Sequence, residues 1–78
     1  MTNLEKYENA FTEMLDVGND ELTGLSYQGI TNWDSVGHMS LMAALEEAFD
    51  IMLDTDDIID FSSYEKGKEI LKKYDVDL

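Results

Sequence analysis

A chain of 78 residues holds one domain, spanning residues 1–78, and leaves little room for a deep catalytic cleft, because a domain of this size buries only about 60–65% of the surface its unfolded chain exposes. It has no cysteine, which excludes disulfides, thiolate metal sites and a cysteine nucleophile. Eighteen acids oppose five bases for a formal charge of −13, and the bases (Lys6, Lys66, Lys68, Lys72 and Lys73) leave residues 7–65 without a positive side chain. Such a surface repels nucleic acid and anionic membranes, and it attracts basic protein patches. Solubility alone is the simpler account of the charge. No apolar run approaches the ~20 residues that span a bilayer. The start, Met1 to Glu5, lacks a charged-then-apolar leader pattern, so a cytoplasmic location is expected.

The first helix is predicted from about residue 3. Leu4, Tyr7, Phe11, Met14 and Leu15 recur at helical spacing, and Thr2 with Glu5 forms a capping box. Its stop is expected near Val17-Gly18, with the glycine as C-terminal cap. Residues 18 to about 33 read as a long connection punctuated by Gly18, Asn19, Asp20, Gly24 and Gly29. Leu22, Leu25, Tyr27 and Ile30 are placed to pin it to a core, so it reads as an ordered loop with room for a helical turn. Trp33 and the four tyrosines read as loop anchors and core.

The second helix is predicted over Ser35 to Phe49, capped by Asp34. Val36, Met39, Met42, Leu45 and Phe49 form its apolar stripe, flanked by Leu41 and Ala48. The opposite face reads Gly37, Ser40, Ala43, Glu46, Glu47 and Asp50, small at first and acidic later. A short helix follows around Asp54 to Phe61. Ser62 and Glu65 read as a second capping box, opening a last helix with Tyr64, Gly67, Ile70, Leu71 and Tyr74. Lys72 and Lys73 suit its final turn. No alternating strand pattern of useful length is present. The expected fold is all-α, a small bundle of three main helices plus one short helix, with a long loop between helices 1 and 2.

The informative stretch is Trp33-Asp34-Ser35-Val36-Gly37-His38-Met39, at the loop-to-helix junction. A serine there either caps the helix or is a modification site. If Asp34 takes the cap, the serine hydroxyl is free. Main-chain N–H groups and the helix dipole favour an anion at that end. Asp34 would repel a phosphate unless its carboxylate faces elsewhere or binds a metal.

Asp34-Ser35-Val36, Met39, Leu41-Met42, Leu45-Glu46-Glu47 and Phe49-Asp50-Ile51 together resemble the acyl carrier protein family. That family shows Asp-Ser-Leu, an apolar helix face, then Leu-Glu-Glu-x-Phe-x-Ile. The likeness is closest over the second helix, and the helix layout extends it over most of the chain. It implies a 4'-phosphopantetheine arm on Ser35, moved from coenzyme A by a phosphopantetheinyl transferase. The arm's thiol then holds an acyl group as a thioester, which supplies the sulfur the chain lacks. The resemblance implies a non-catalytic monomer visited by acyl-loading and acyl-transferring enzymes with basic patches. Asp34, Val36, Gly37, His38, Glu46 and Glu47 are the expected recognition residues, with Val36 as the apolar contact beside the arm.

The chain also departs from the family. Gly37 and Ser40 stand where fatty-acid carriers place acids, His38 intervenes, Trp33 replaces a small residue, and no proline follows Ile51. These differences point to a specialised carrier, in lipid, polyketide, peptide or polysaccharide modification. The alternatives are a peptidyl or aminoacyl carrier, and an acidic interaction module such as a DNA mimic or inhibitor.

Other features read more plainly. Gly37 is either tolerated or allows close approach by the arm or a partner's backbone. Met39 reads as core. His38 reads as a solvated side chain near the arm, because a triad with Asp34 and Ser35 needs an oriented base and an oxyanion hole. Asp54 to Asp60 is no EF-hand, since Ile59 stands at the position requiring glycine. Eight acids between residues 34 and 60 read as a solvated acidic face, with weak divalent binding along 46–60 as the alternative. No specific metal site is expected.

Overall fold

The computed structural model describes residues 2–78. Four α-helices and one 3-10 turn follow in order: α1 (Asn3–Leu15), the turn Asn19–Glu21, α2 (Ser35–Phe49), α3 (Thr55–Asp60) and α4 (Tyr64–Lys72). No strand occurs among the described residues, only an isolated antiparallel bridge between Ser26 and Ser63. This is the expected small all-α bundle, with the 3-10 turn interrupting the connection between α1 and α2.

The first helix starts as its capping box predicts. The Thr2 hydroxyl accepts from Glu5 N–H at 3.1 Å, and the Glu5 carboxylate accepts from Thr2 N–H at 2.9 Å. These same two Thr2 groups hold the Glu5 carboxyl below its ordinary value. The end differs from expectation. Asp16, not Gly18, takes the left-handed cap conformation with φ of 55°. Aspartate tolerates that region better than most side chains. The Asn32 side chain donates to Leu15 O at 2.9 Å and satisfies one orphan carbonyl. Gly18 instead lies in extended backbone ahead of the 3-10 turn.

In α2, Asp34 is the cap, and its Oδ1 accepts from Gly37 N–H at 2.8 Å. The buried side is Leu41, Met42 and Leu45, with Ala44, Phe49 and the half-buried His38 beside it. Val36 and Met39 are 76% and 55% exposed, so the expected stripe is rotated and Met39 is not core. The outward face runs Val36, Met39, Ser40, Ala43, Glu47 and Asp50, all exposed.

The last helix is capped by Ser63, whose hydroxyl accepts from Lys66 N–H at 3.0 Å. Ser62 was the expected cap, but its carbonyl accepts from Tyr27 N–H at 2.8 Å in the bridge. Tyr64 N–H returns a bond to Leu25 O at 2.9 Å. The α1–α2 connection is thus tied to the α3–α4 junction.

The main helix pairing is α1 with α2. The core between them and α4 is largely aromatic. Phe11 meets Tyr7, Trp33 and Tyr64 edge-on at centroid distances of 5.0, 5.5 and 5.4 Å. Tyr7 is buried and donates to Tyr64 O at 2.5 Å, and burial pushes its phenol well above the ordinary tyrosine range. Gly67 lets α4 come this close, because a Cβ there would lie 2.2 Å from both Phe61 Cζ and Tyr7 Oη. Trp33 is completely buried, in keeping with its reading as a loop anchor.

The residues read as one acidic face divide into two kinds. Most are exposed, but Asp57 is buried and bonded to the Lys73 ammonium and the Tyr74 hydroxyl. Glu46 is half-buried, and its Oε2 accepts from Leu53 N–H at 2.8 Å, fixing the chain after α2. No helix among the described residues is long and apolar enough to cross a membrane.

Candidate functional site

Ser35 opens α2 and is exposed. Since Asp34 supplies the cap, the Ser35 hydroxyl is not used for the helix end. Its partner is the Tyr27 hydroxyl, 3.3 Å away. The Asp34 carboxylate is engaged with Gly37 N–H, so part of its charge is turned onto the positive helix end. That placement relieves the repulsion Asp34 would otherwise exert on an anion at Ser35. Beside the junction, Gln28, Gly29, Ile30, Thr31, Trp33 and Asp34 line an open hollow of about 380 Å³.

The turn that carries Ser35 is closed by its own backbone. Gln28 N–H donates to Trp33 O at 2.9 Å, and Gly29 N–H donates to Ser26 O at 2.9 Å. Gly37 seats this turn against α2. A Cβ at Gly37 would lie 2.1 Å from Asn32 O and 3.3 Å from a Leu15 methyl. The close approach is therefore by the chain's own backbone, and an arm or a partner is not needed to explain the glycine.

His38 is not a solvated side chain. Trp33 Nε1–H donates to His38 Nδ1 at 3.0 Å, and His38 Nε2 bonds Ile58 O at 2.8 Å. Indole N–H can only donate and a carbonyl can only accept, so the ring is neutral with its proton on Nε2. The imidazole stacks on Trp33 at 6.2 Å and meets the edge of Tyr27 at 5.1 Å. It thus joins the Ser35 turn to α3. Asp34, Ser35 and His38 each bond a different partner, so they do not form the hydrogen-bonded chain that activates a serine nucleophile.

The six expected recognition residues are dispersed in role. Asp34 and Val36 flank Ser35 and are exposed, and Glu47 is exposed farther along the same helix. Gly37, His38 and Glu46 are half-buried and make internal contacts. Tyr27 was readable only as a loop anchor. Its place beside Ser35 depends on the Ser26–Ser63 bridge, which no local pattern announces. Among the described residues, no group of three or more histidine or acidic side chains is placed to hold a metal ion. No family model matches the sequence, and no curated protein or solved structure matches it.

Proposed function

We propose that the chain is an acyl carrier protein, with Ser35 as the attachment point of a 4'-phosphopantetheine arm. The observation that carries this reading is the division of labour at the start of α2. Asp34 caps the helix and leaves the Ser35 hydroxyl exposed at its positive end. The resemblance over Asp34 to Ile51 supports it. When bound, the arm supplies a thiol, on which an acyl group is held as a thioester. The residues of the chain then serve to display the arm. Val36, Met39, Ser40 and Ala43 give a small, weakly polar surface next to Ser35, and Glu47 and Asp50 add negative charge farther along. A basic patch on a visiting enzyme complements that end.

The test is intact-mass spectrometry after incubation with coenzyme A and a broad-specificity phosphopantetheinyl transferase. One phosphopantetheine is expected on the wild-type chain and none on Ser35→Ala. A folded wild-type chain that stays unmodified overturns the reading.

A further inference from the structure

Ser35 has one side-chain partner, and that partner is held in place from several directions. Tyr27 N–H donates to Ser62 O at 2.8 Å, beside the Ser26–Ser63 bridge. The Tyr27 ring meets Trp33 edge-on at 6.3 Å and His38 at 5.1 Å. Trp33 and His38 are bonded to each other, and His38 is bonded to α3. The phenol therefore rests on a fixed frame, with its hydroxyl 3.3 Å from Ser35 Oγ. Tyr27 is half-buried, with its ring packed against the core and its hydroxyl at the surface. The partner of that hydroxyl is the one exposed hydroxyl that the carrier reading requires.

We propose that Tyr27 is a positioning residue for Ser35, first orienting its hydroxyl for arm transfer and then donating to the phosphodiester of the attached arm. This rests on the carrier reading. In the transfer, Ser35 Oγ forms a bond to the phosphorus that bears the pantetheine half of coenzyme A. The bond from that phosphorus to the oxygen bridging the two phosphates breaks. Adenosine 3',5'-bisphosphate leaves with the electron pair, and the Ser35 proton passes to a base of the transferase. Either hydroxyl can be the donor in this pair; in the sense that serves transfer Tyr27 donates to one Ser35 lone pair, which leaves the other lone pair for attack and the proton free for that base. After transfer, Oγ is an ester oxygen and a weak acceptor. The unesterified phosphate oxygens carry the charge and are strong acceptors one bond farther out. A phenol can follow that change as a donor. Phenylalanine at position 27 would leave the phosphate facing Asp34 with only the main-chain N–H groups of α2 to balance it.

The experiment compares wild type with Tyr27→Phe in steady-state arm transfer and in phosphorus NMR of the modified proteins. The expected result is a kcat about fivefold lower with KM unchanged, a displaced phosphodiester resonance, and an unchanged melting temperature. Equal kcat together with an identical phosphorus resonance overturns the inference. Should Tyr27→Phe unfold, the wild-type protein still decides the matter. Its Tyr27 Cζ carbon resonance is expected to move on arm attachment, and a resonance that stays put overturns the inference. A wild-type chain that accepts no arm is recognised by mass beforehand; it removes the carrier reading and this inference with it.

Discussion

Helix α3 is fastened on two sides, and the two fastenings differ in chemistry and in what they reach. At six residues, with no side-chain bond from its cap Asp54, it is too short to persist alone. On one side, His38 Nε2–H donates to Ile58 O, and the same ring accepts from Trp33. That fastening is neutral, sits among aromatic rings, and continues through Trp33 and Tyr27 to Ser35. On the other side, the Asp57 carboxylate bonds Lys73 and Tyr74, and the Tyr74 hydroxyl accepts from Asp54 N–H at 2.9 Å. That fastening is charged and ties α3 to the end of α4. The comparison separates a contact that holds α3 near the candidate site from one that only holds α3.

The aromatic side is the more sensitive to volume. Gly67→Ala should gain about 1 kcal/mol of helix propensity, yet its methyl has no space between Phe61 and Tyr7. Overpacking of this kind typically costs about 1–3 kcal/mol and more when both neighbours are rigid rings. Set against that gain, a net loss of up to about 2 kcal/mol is expected, read as a lower urea midpoint with an unchanged slope. A wild-type midpoint would show that α4 can shift outward without cost. His38→Ala tests the same side through its hydrogen bonds. It leaves the buried Trp33 N–H and the Ile58 carbonyl without their partner, at a cost of about 1–3 kcal/mol. The comparison sharpens if its amide-resonance changes spread to Ser35 and Tyr27, while those of an Asp57 variant stay within α3 and α4.

Helix starts were the most legible part of the fold, because caps are local. Thr2 with Glu5 and Asp34 before Ser35 act where the sequence puts them. Where two adjacent residues could do the same job, the decision was made elsewhere. Ser63 rather than Ser62 caps α4 because Tyr27, distant in sequence, claims the Ser62 carbonyl. Helix α2 misleads for a related reason. Apolar residues lie nearly all around it, and two inward positions are held by Gly37 and His38, which no apolar pattern counts. Ser35 was legible as a candidate through its cap and its resemblance. Tyr27, Trp33 and His38 as its supporting frame were not, since their meeting depends on a bridge and a loop closure that join remote segments.

The charged fastening should show itself through pH. Hydrogen bonds from Lys73 and then Tyr74 hold the Asp57 carboxyl below its ordinary value of 3.8. A depressed carboxyl contributes stability that is present above that value and lost as pH falls through the folded one. The Asp57 bond likewise raises the Lys73 ammonium above its ordinary 10.5, so this share is present below 10.5 and fades as pH rises past the raised value. Asp57→Asn should therefore lower the melting temperature at neutral pH and flatten its fall below about pH 4. Parallel melting curves for variant and wild type across that range would show that the pair adds nothing to acid sensitivity.

The smallest effect belongs to a residue outside both fastenings. Met39 lies one helical step from His38 and three from Met42, yet it is 55% exposed and Met42 is 1% exposed. Met42→Ala removes a buried side chain and should cost about 2–5 kcal/mol. Met39→Ala removes one that water already reaches, and should change stability by no more than about 0.5 kcal/mol. Paired urea titrations read the difference directly. A Met39→Ala cost near that of Met42→Ala would put Met39 in the core and rotate α2 about its axis. That rotation would carry His38 away from Ile58 and break the neutral fastening on which the placement of Ser35 depends.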